Sequence, residues 1–285
     1  MYPEHIEQYF VPKSVSEVTT LLGQHPDAIL LAGGQSLLPL LKARALSART
    51  LVDLNRVDGL SEIVTDGGHL QIGALARYCD VLRDANVQNR FAALVDAISA
   101  IGDRQVRNRG TVVGSLAHRD HTGDIAPVAL VFDARLELVR TNGESISTSF
   151  ETYAKQPAGE FIQAIGLQNT AAASAFIKHG RVAQDRAILS VAAAFVCDDQ
   201  DRCIGVRIAL GGVQPGAMRL VEVEDRLEAA KADTALLQEL GLLAAKTVVT
   251  RDDELASADY RAQLIRVAVP AVIEKVVARA RRPAQ

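Results

Sequence analysis

Apolar positions recur three and four residues apart over 15–22, where Val15, Val18, Leu21 and Leu22 share one face. That spacing predicts a helix. Its start is marked by Ser14-Val15-Ser16-Glu17, the form of a capping box, and Gly23 supplies a stop. The pattern then changes to short unbroken apolar runs. Ala28-Ile29-Leu30-Leu31 enters Ala32-Gly33-Gly34-Gln35-Ser36, which reads as a strand running into a glycine turn, and Leu51-Val52-Asp53-Leu54 reads as a second buried strand. Ile63-Val64-Thr65, the turn Asp66-Gly67-Gly68 and Leu70-Gln71-Ile72-Gly73 predict a hairpin.

Helices are predicted over 77–83 and 91–101, followed by a polar segment, 103–110. Next come Thr111-Val112-Val113-Gly114-Ser115-Leu116-Ala117-His118 and an apolar stretch over 125–132. Leu136-Glu137-Leu138-Val139 alternates as a strand does, with Thr141-Asn142-Gly143 as the turn after it. Apolar runs cover 162–167 and 187–196. Composition shifts near Thr170-Ala171-Ala172-Ala173, which sets the expected domain boundary. Beyond it the chain ends in an Ala- and Leu-rich helical region that includes 234–249 and 263–280. There is no internal repeat.

A chain of 285 residues can bury about three quarters of its unfolded surface. Thirty-one basic against 34 acidic residues give a net charge of −3, which argues against a nucleic-acid partner. No run reaches the roughly 20 apolar residues of a membrane span. Met1-Tyr2-Pro3-Glu4-His5 has neither the basic nor the apolar segment of a signal peptide, so a cytoplasmic protein is expected. Cys79, Cys197 and Cys203 are scattered, with no CxxC pair, and cannot by themselves hold an iron–sulfur cluster or a four-ligand zinc.

Two glycine loops carry the candidate chemistry. Glycine admits positive φ and lets backbone N–H groups converge on an anion, so residues 32–36 can line a phosphate, with the Ser36 hydroxyl beside them. Gly34 is the position where close approach leaves no room for a Cβ. The second loop, 111–115, offers two hydroxyls and Gly114. Neither is a Walker loop or a G-x-G-x-x-G fingerprint. Other groups are weaker: His118 and His121 beside Asp120 and Asp124 suggest a metal only superficially, and Lys178, Arg181 and Asp185 read as a surface ion network. There is no nucleophile elbow.

Taken together, Leu31-Ala32-Gly33-Gly34-Gln35-Ser36-Leu37-Leu38-Pro39 with Leu51-Val52-Asp53-Leu54, then Gln105-Val106-Arg107-Asn108-Arg109-Gly110-Thr111, Gly114-Ser115-Leu116-Ala117-His118 and Asp124, resemble a known family. It is the FAD-binding medium subunit of molybdenum hydroxylases of the carbon monoxide dehydrogenase and xanthine dehydrogenase type. Leu210-Gly211-Gly212-Val213 and Ser257-Ala258-Asp259-Tyr260-Arg261 extend the likeness over almost the whole chain.

The resemblance implies an α+β fold: a two-part PCMH-type FAD-binding region over 1–172, divided into about 1–55 and 56–172, then a C-terminal α+β domain of the carbon monoxide dehydrogenase flavoprotein type over 173–285. It implies that Ala32, Gly33, Gly34, Gln35 and Ser36 wrap the FAD pyrophosphate, and that Thr111, Val112, Val113, Gly114, Ser115 and His118 approach it from the other side. Asp124 would contact the ADP half, Ile101 and Ile162 would line the flavin pocket, and Lys178 would contact the flavin. No residue of this chain would act as an acid–base catalyst. The partners implied are a large molybdenum-cofactor subunit and a small subunit with two [2Fe-2S] clusters, in a heterotrimer or its dimer, with an external electron acceptor. The family pattern has paired glycines where Val113 stands, and a proline closing the segment Gly159-Glu160-Phe161-Ile162 where Gln168 stands. A stand-alone FAD dehydrogenase or oxidase of the vanillyl-alcohol oxidase type is the alternative; with Trp 0, Tyr 5 and Phe 7 the chain is poor in the aromatic groups such a pocket uses.

Overall fold

The computed structural model describes residues 6–156, 160–169 and 173–281. The sequence readings at residues 1–5, at Gly159 and at the 170–172 boundary lie outside them.

Three sheets organise the described residues. The first is parallel, in the order β1-β3-β2, from β1 (Gln8–Phe10), β2 (Ile29–Leu31) and β3 (Thr50–Asp53), with helices α1 (Val15–Gln24) and α2 (Leu37–Lys42) between its strands. The Ser14 hydroxyl accepts the Glu17 N–H at 3.2 Å, while Glu17 reaches one residue further back than a capping box requires and accepts from Lys13 N–H at 2.7 Å. The helix runs through Gly23 and ends on His25, whose N–H bonds to Leu21 O.

The second sheet is antiparallel, in the order β4-β5-β8-β6-β7: β4 (Ile63–Asp66), β5 (His69–Gly73), β6 (Arg135–Val139), β7 (Ser145–Ser149) and β8 (Phe161–Gln168). Between β5 and β6 the chain lays down six helices: α3 (Tyr78–Arg83), α4 (Ala85–Arg90), α5 (Ala92–Ser99), α6 (Arg104–Arg107), α7 (Val112–His118) and α8 (Ile125–Val131). Helix α9 (Phe150–Lys155) joins β7 to β8. The predicted hairpin and the strands at 136–139 and 162–167 are present. Three readings change. Helix α4 stands where none was expected, because Asp84 accepts the Val87 N–H and starts a turn. The polar segment 103–110 contains α6, started in the same way by Asp103. The second glycine loop is the first turn of α7.

The third sheet, β12-β11-β10-β9, comprises β9 (Ala173–His179), β10 (Leu189–Cys197), β11 (Cys203–Gly211) and β12 (Met218–Arg219). It is followed by α10 (Val221–Leu227), α11 (Thr234–Thr247) and α12 (Ala258–Ala280). The last helix starts five residues before the predicted 263, since the Ser257 hydroxyl caps it by accepting from Tyr260 N–H. Both faces of this sheet are covered. Successive side chains on a strand point to opposite faces. Leu189, Val191, Ala193 and Phe195 join a core with α11 and α12, whereas Ala192 and Ala194, with Ala209 of β11, join the core that holds α5 and α8. Small alanines on that face let two helices lie close to the strands, which explains why 187–196 reads as an apolar run interrupted only by Ser190.

One polar cluster ties these layers together. Asp96 of α5 accepts from Lys275 at 2.9 Å, from Arg279 at 2.7 and 2.9 Å and from the Phe176 N–H at 3.1 Å. Burial alone would raise its carboxyl, but hydrogen bonds from Arg279 and Lys275 outweigh that and hold it below the usual range.

Candidate functional site

A cavity of about 600 Å³ opens where the β2–α2 turn, the segment around α6 and α7, strand β8 and the β9–β10 connection converge. Its size is that of a small-molecule site. Ala32, Gly33, Gly34, Gln35 and Ser36 line it from one side. Gly34 has φ +72°, and a Cβ there would meet the Leu38 side chain at 2.9 Å. Its glycine is therefore required by the turn itself, whatever the turn binds. The close backbone approach is at Gly33, where a Cβ would lie 2.3 Å from the Arg109 carbonyl oxygen and 2.9 Å from Gly110 Cα. The two arms of the site thus touch main chain to main chain.

A polar network missed by sequence reasoning holds that contact. Asn55 Nδ2 donates to Ala32 O at 3.0 Å, while Arg77 donates to Arg109 O at 2.5 Å and to Asn55 Oδ1. Asp53 accepts the Asn55 N–H at 2.9 Å and the Tyr9 hydroxyl at 2.5 Å. No local pattern announces it, because its members come from β1, β3 and the residues on either side of the hairpin.

The second arm is built on Thr111, whose Oγ1 caps α7 by accepting the Gly114 N–H at 3.0 Å. A Cβ on Gly114 would come within 2.6 Å of that oxygen, so glycine is set here by the cap. Ser115 faces Tyr78, whose phenol burial pushes well above its ordinary value. Thr111, Val113, Gly114, Ser115 and His118 line the cavity. Val112 does not: it is fully buried and faces the core. Val113 is helical and has no positive φ, so a β-branched side chain fits where the family pattern has glycine. Gln168 is likewise explained, since its N–H donates to Phe132 O at 2.9 Å, a bond proline could not make.

Ile101 and Ile162 supply apolar wall. Asp124 and Lys178 are also in the wall and form a buried pair, Nζ to Oδ2 at 2.7 Å, with 9% and 7% of the Lys178 and Asp124 side chains exposed. Lys178 also donates to Ala100 O at 3.1 Å. The surface network expected of Lys178, Arg181 and Asp185 is absent: Arg181 turns to the Glu254 and Leu255 carbonyls, and Asp185 accepts from the Arg186 N–H. Burial pushes the Asp124 carboxyl up to about 6 against the pull of Lys178, and its second oxygen, Oδ1, is buried without a partner among the described residues. Asp120 accepts from Thr122, and His121 lies 3.7 Å from Asp120 and from Asp253. Among the described residues no three His, Cys, Asp or Glu side chains gather as a metal site would require.

Residues 4–167 match the family described as the FAD binding domain in molybdopterin dehydrogenase. The chain belongs to this family. Residues 174–276 match the CO dehydrogenase flavoprotein C-terminal domain. The chain is 33% identical to the 6-hydroxypseudooxynicotine dehydrogenase complex subunit alpha of Paenarthrobacter nicotinovorans, over 96% of this chain and 95% of that one. Among solved structures, quinoline 2-oxidoreductase from Pseudomonas putida 86 superposes with a TM-score of 0.92 at 30% identity, covering 99% of this chain and 100% of that one. Carbon monoxide dehydrogenase from Hydrogenophaga pseudoflava does so with 0.92 at 31%, covering 98% and 99%. As an FAD-binding medium-subunit flavoprotein, the chain has its two tyrosines of the cavity, Tyr78 and Tyr153, engaged in structure: one with Ser115, the other beneath the Arg119 guanidinium at 4.0 Å. Gln184, Asp185 and Arg186 also line the cavity, and only the third dimension brings them there. Among the described residues no helix is long and apolar enough to cross a membrane.

Proposed function

We propose that this flavoprotein holds FAD in the cavity and passes electrons from the iron–sulfur clusters of a partner subunit to an external acceptor. The observation that supports this reading is Asp124 Oδ1, a buried acceptor in the cavity wall with no donor among the described residues. A buried unpaired acceptor costs about 1–3 kcal/mol, which a ligand hydroxyl or N–H would recover. Bound FAD supplies the redox chemistry, taking electrons singly or in pairs. The chain's own residues position it. Residues 32–36 and the first turn of α7, 111–115, would flank the diphosphate from two sides. Asp124 accepts from the ligand, Lys178 keeps that carboxyl in place, and Ile101 and Ile162 exclude water from the ring.

The domain division we assign is 1–172, with parts of about 1–55 and 56–172, and 173–285. The partners are a large subunit with the molybdenum cofactor and a small subunit with two [2Fe-2S] clusters, in a heterotrimer or its dimer. The three cysteines are unpaired, which suits the cytoplasm.

Expressed alone, the chain should be yellow and release FAD, not FMN, on acid treatment. It should oxidise no aldehyde, purine or N-heterocycle until the two partner subunits are added. A colourless folded protein that takes up no FAD would overturn the cofactor assignment. Turnover of an organic substrate by the lone chain at ~1 s⁻¹ or faster would favour a stand-alone oxidoreductase.

A further inference from the structure

The hairpin β10–β11 ends in a pair of cysteines that the flavin site does not use. Cys197 and Cys203 are register partners across the two strands. Both main-chain groups of Cys203 point away from β10, its N–H to Ala230 O and its C=O to the Ala229 N–H, each at 2.8 Å. The cysteines therefore form a non-hydrogen-bonded pair, the antiparallel arrangement in which facing Cα atoms approach to about 4.5 Å. A disulfide spans Cα separations of about 4.4–6.8 Å. The turn between them is fixed: Asp198 N–H donates to Arg202 O at 3.0 Å, and Asp198 Oδ1 accepts from the Gln200 and Arg202 N–H groups at 2.9 and 2.8 Å. Each thiol is close enough to the other to perturb its ionisation.

We infer that Cys197 and Cys203 are an oxidisable dithiol, closed to a cross-strand disulfide by a hydroperoxide. Cys203 is fully buried, while Cys197 is partly exposed and has the Arg281 guanidinium near it. Cys197 is thus the thiol that meets the oxidant. Its thiolate attacks a peroxide oxygen, the O–O bond breaks, and with hydrogen peroxide one water leaves and a sulfenic acid remains. Cys203 sulfur then attacks the Cys197 sulfur. The S–O bond breaks, and the hydroxide departs with the Cys203 proton as the second water. Two thiols are oxidised by two electrons and one peroxide is reduced. Burial pushes both thiols up, Cys203 to about 12, so the reaction is slow, and the disulfide of two high-pKa thiols is a poor target for reducing thiols. Cys197 lies seven residues along β10 from Ser190, the register partner of Lys178. At the rise of a strand that is roughly 23 Å, which separates the pair from the cofactor cavity.

The test uses the full chain and hydrogen peroxide, followed by alkylation in denaturant, trypsin and mass spectrometry. Cleavage after Arg202 puts the two cysteines on different peptides. The expected result is loss of two of the three free thiols and one disulfide-linked pair joining 187–202 to 203–207. Cys203→Ala should instead leave a Cys197 sulfenic acid that a 1,3-dicarbonyl traps. If that variant does not fold, Cys197→Ser must abolish the linked pair and leave Cys203 unoxidised. Sulfinic acid on Cys197 of the wild-type chain without a linked pair would overturn the inference. So would a linked pair that forms only after denaturation, or one that includes Cys79.

Discussion

Replacing Gly33 by alanine tests the claim that the two arms of the cofactor site are held together by main-chain contact. The added methyl would stand 2.3 Å from Arg109 O, against an ordinary contact of 3.4 Å, so one arm must retreat by about 1 Å. Retreat is resisted by the Asn55 bond to Ala32 O and the Arg77 bond to Arg109 O. Forcing a methyl against backbone costs about 1–3 kcal/mol of stability. Ligand bonds shared between the arms suffer more. If two are lost at about 1 kcal/mol each, FAD should bind about 30-fold more weakly. Titration of the apo-protein with FAD, followed by flavin fluorescence, gives the affinity, and circular dichroism gives the melting point. Gly34→Ala is the comparison. It meets only a flexible leucine tip and a φ of +72°, so it should lose about 1–2 kcal/mol of stability with a smaller effect on FAD. Gly216→Ala, with no atom within 4 Å, should change neither. A Gly33→Ala protein that binds FAD within about twofold of wild type would refute the two-armed grip.

Two further outcomes follow from buried carboxylates. Asp96→Ala leaves Lys275 and Arg279 without their shared anion and should cost about 2 kcal/mol, read by urea unfolding. Because the folded Asp96 value is lowered, its contribution is present above about pH 4 and disappears as pH falls through that lowered value. A gap between wild type and Asp96→Asn that is unchanged at pH 2 would contradict this. Asp124 behaves oppositely: its folded value is raised to about 6, so unfolding free energy should fall as pH rises from about 4 to 6 and level off above. Carboxyl ¹³C shifts should show a midpoint near 6 in the ligand-free protein, higher still in Lys178→Met. A midpoint at or below 4 would refute the burial argument.

The two arms of the cavity were legible because each is local. The strand-to-glycine step at 28–36 and the hydroxyl–glycine spacing at 111–115 need only a few consecutive residues. The nature of the second arm was not, because Thr111-Val112-Val113-Gly114 resembles a loop until Thr111 is seen to cap a helix. Lys178 shows the limit most clearly. By charge and spacing it belongs with Arg181 and Asp185, yet β9 carries it inward to Asp124, 54 positions away. The Asn55–Arg77 network had no signal at all, since each of its members is an unremarkable polar residue in its own segment.

The alternation along β10 also bears on how the chain can be divided. Ala192 and Ala194 complete the surface of α5 and α8, so a chain cut between β8 and β9 would strip both products of part of their interior. The first fragment would present bare helices, the second a strand face of alanines, and each would be prone to self-association. The stretches 4–167 and 174–276 recur as units of sequence. Separated, they should not behave as soluble units, and shuffling one onto a foreign partner would require the receiving helices to match Ala192, Ala194 and Ala209 in depth.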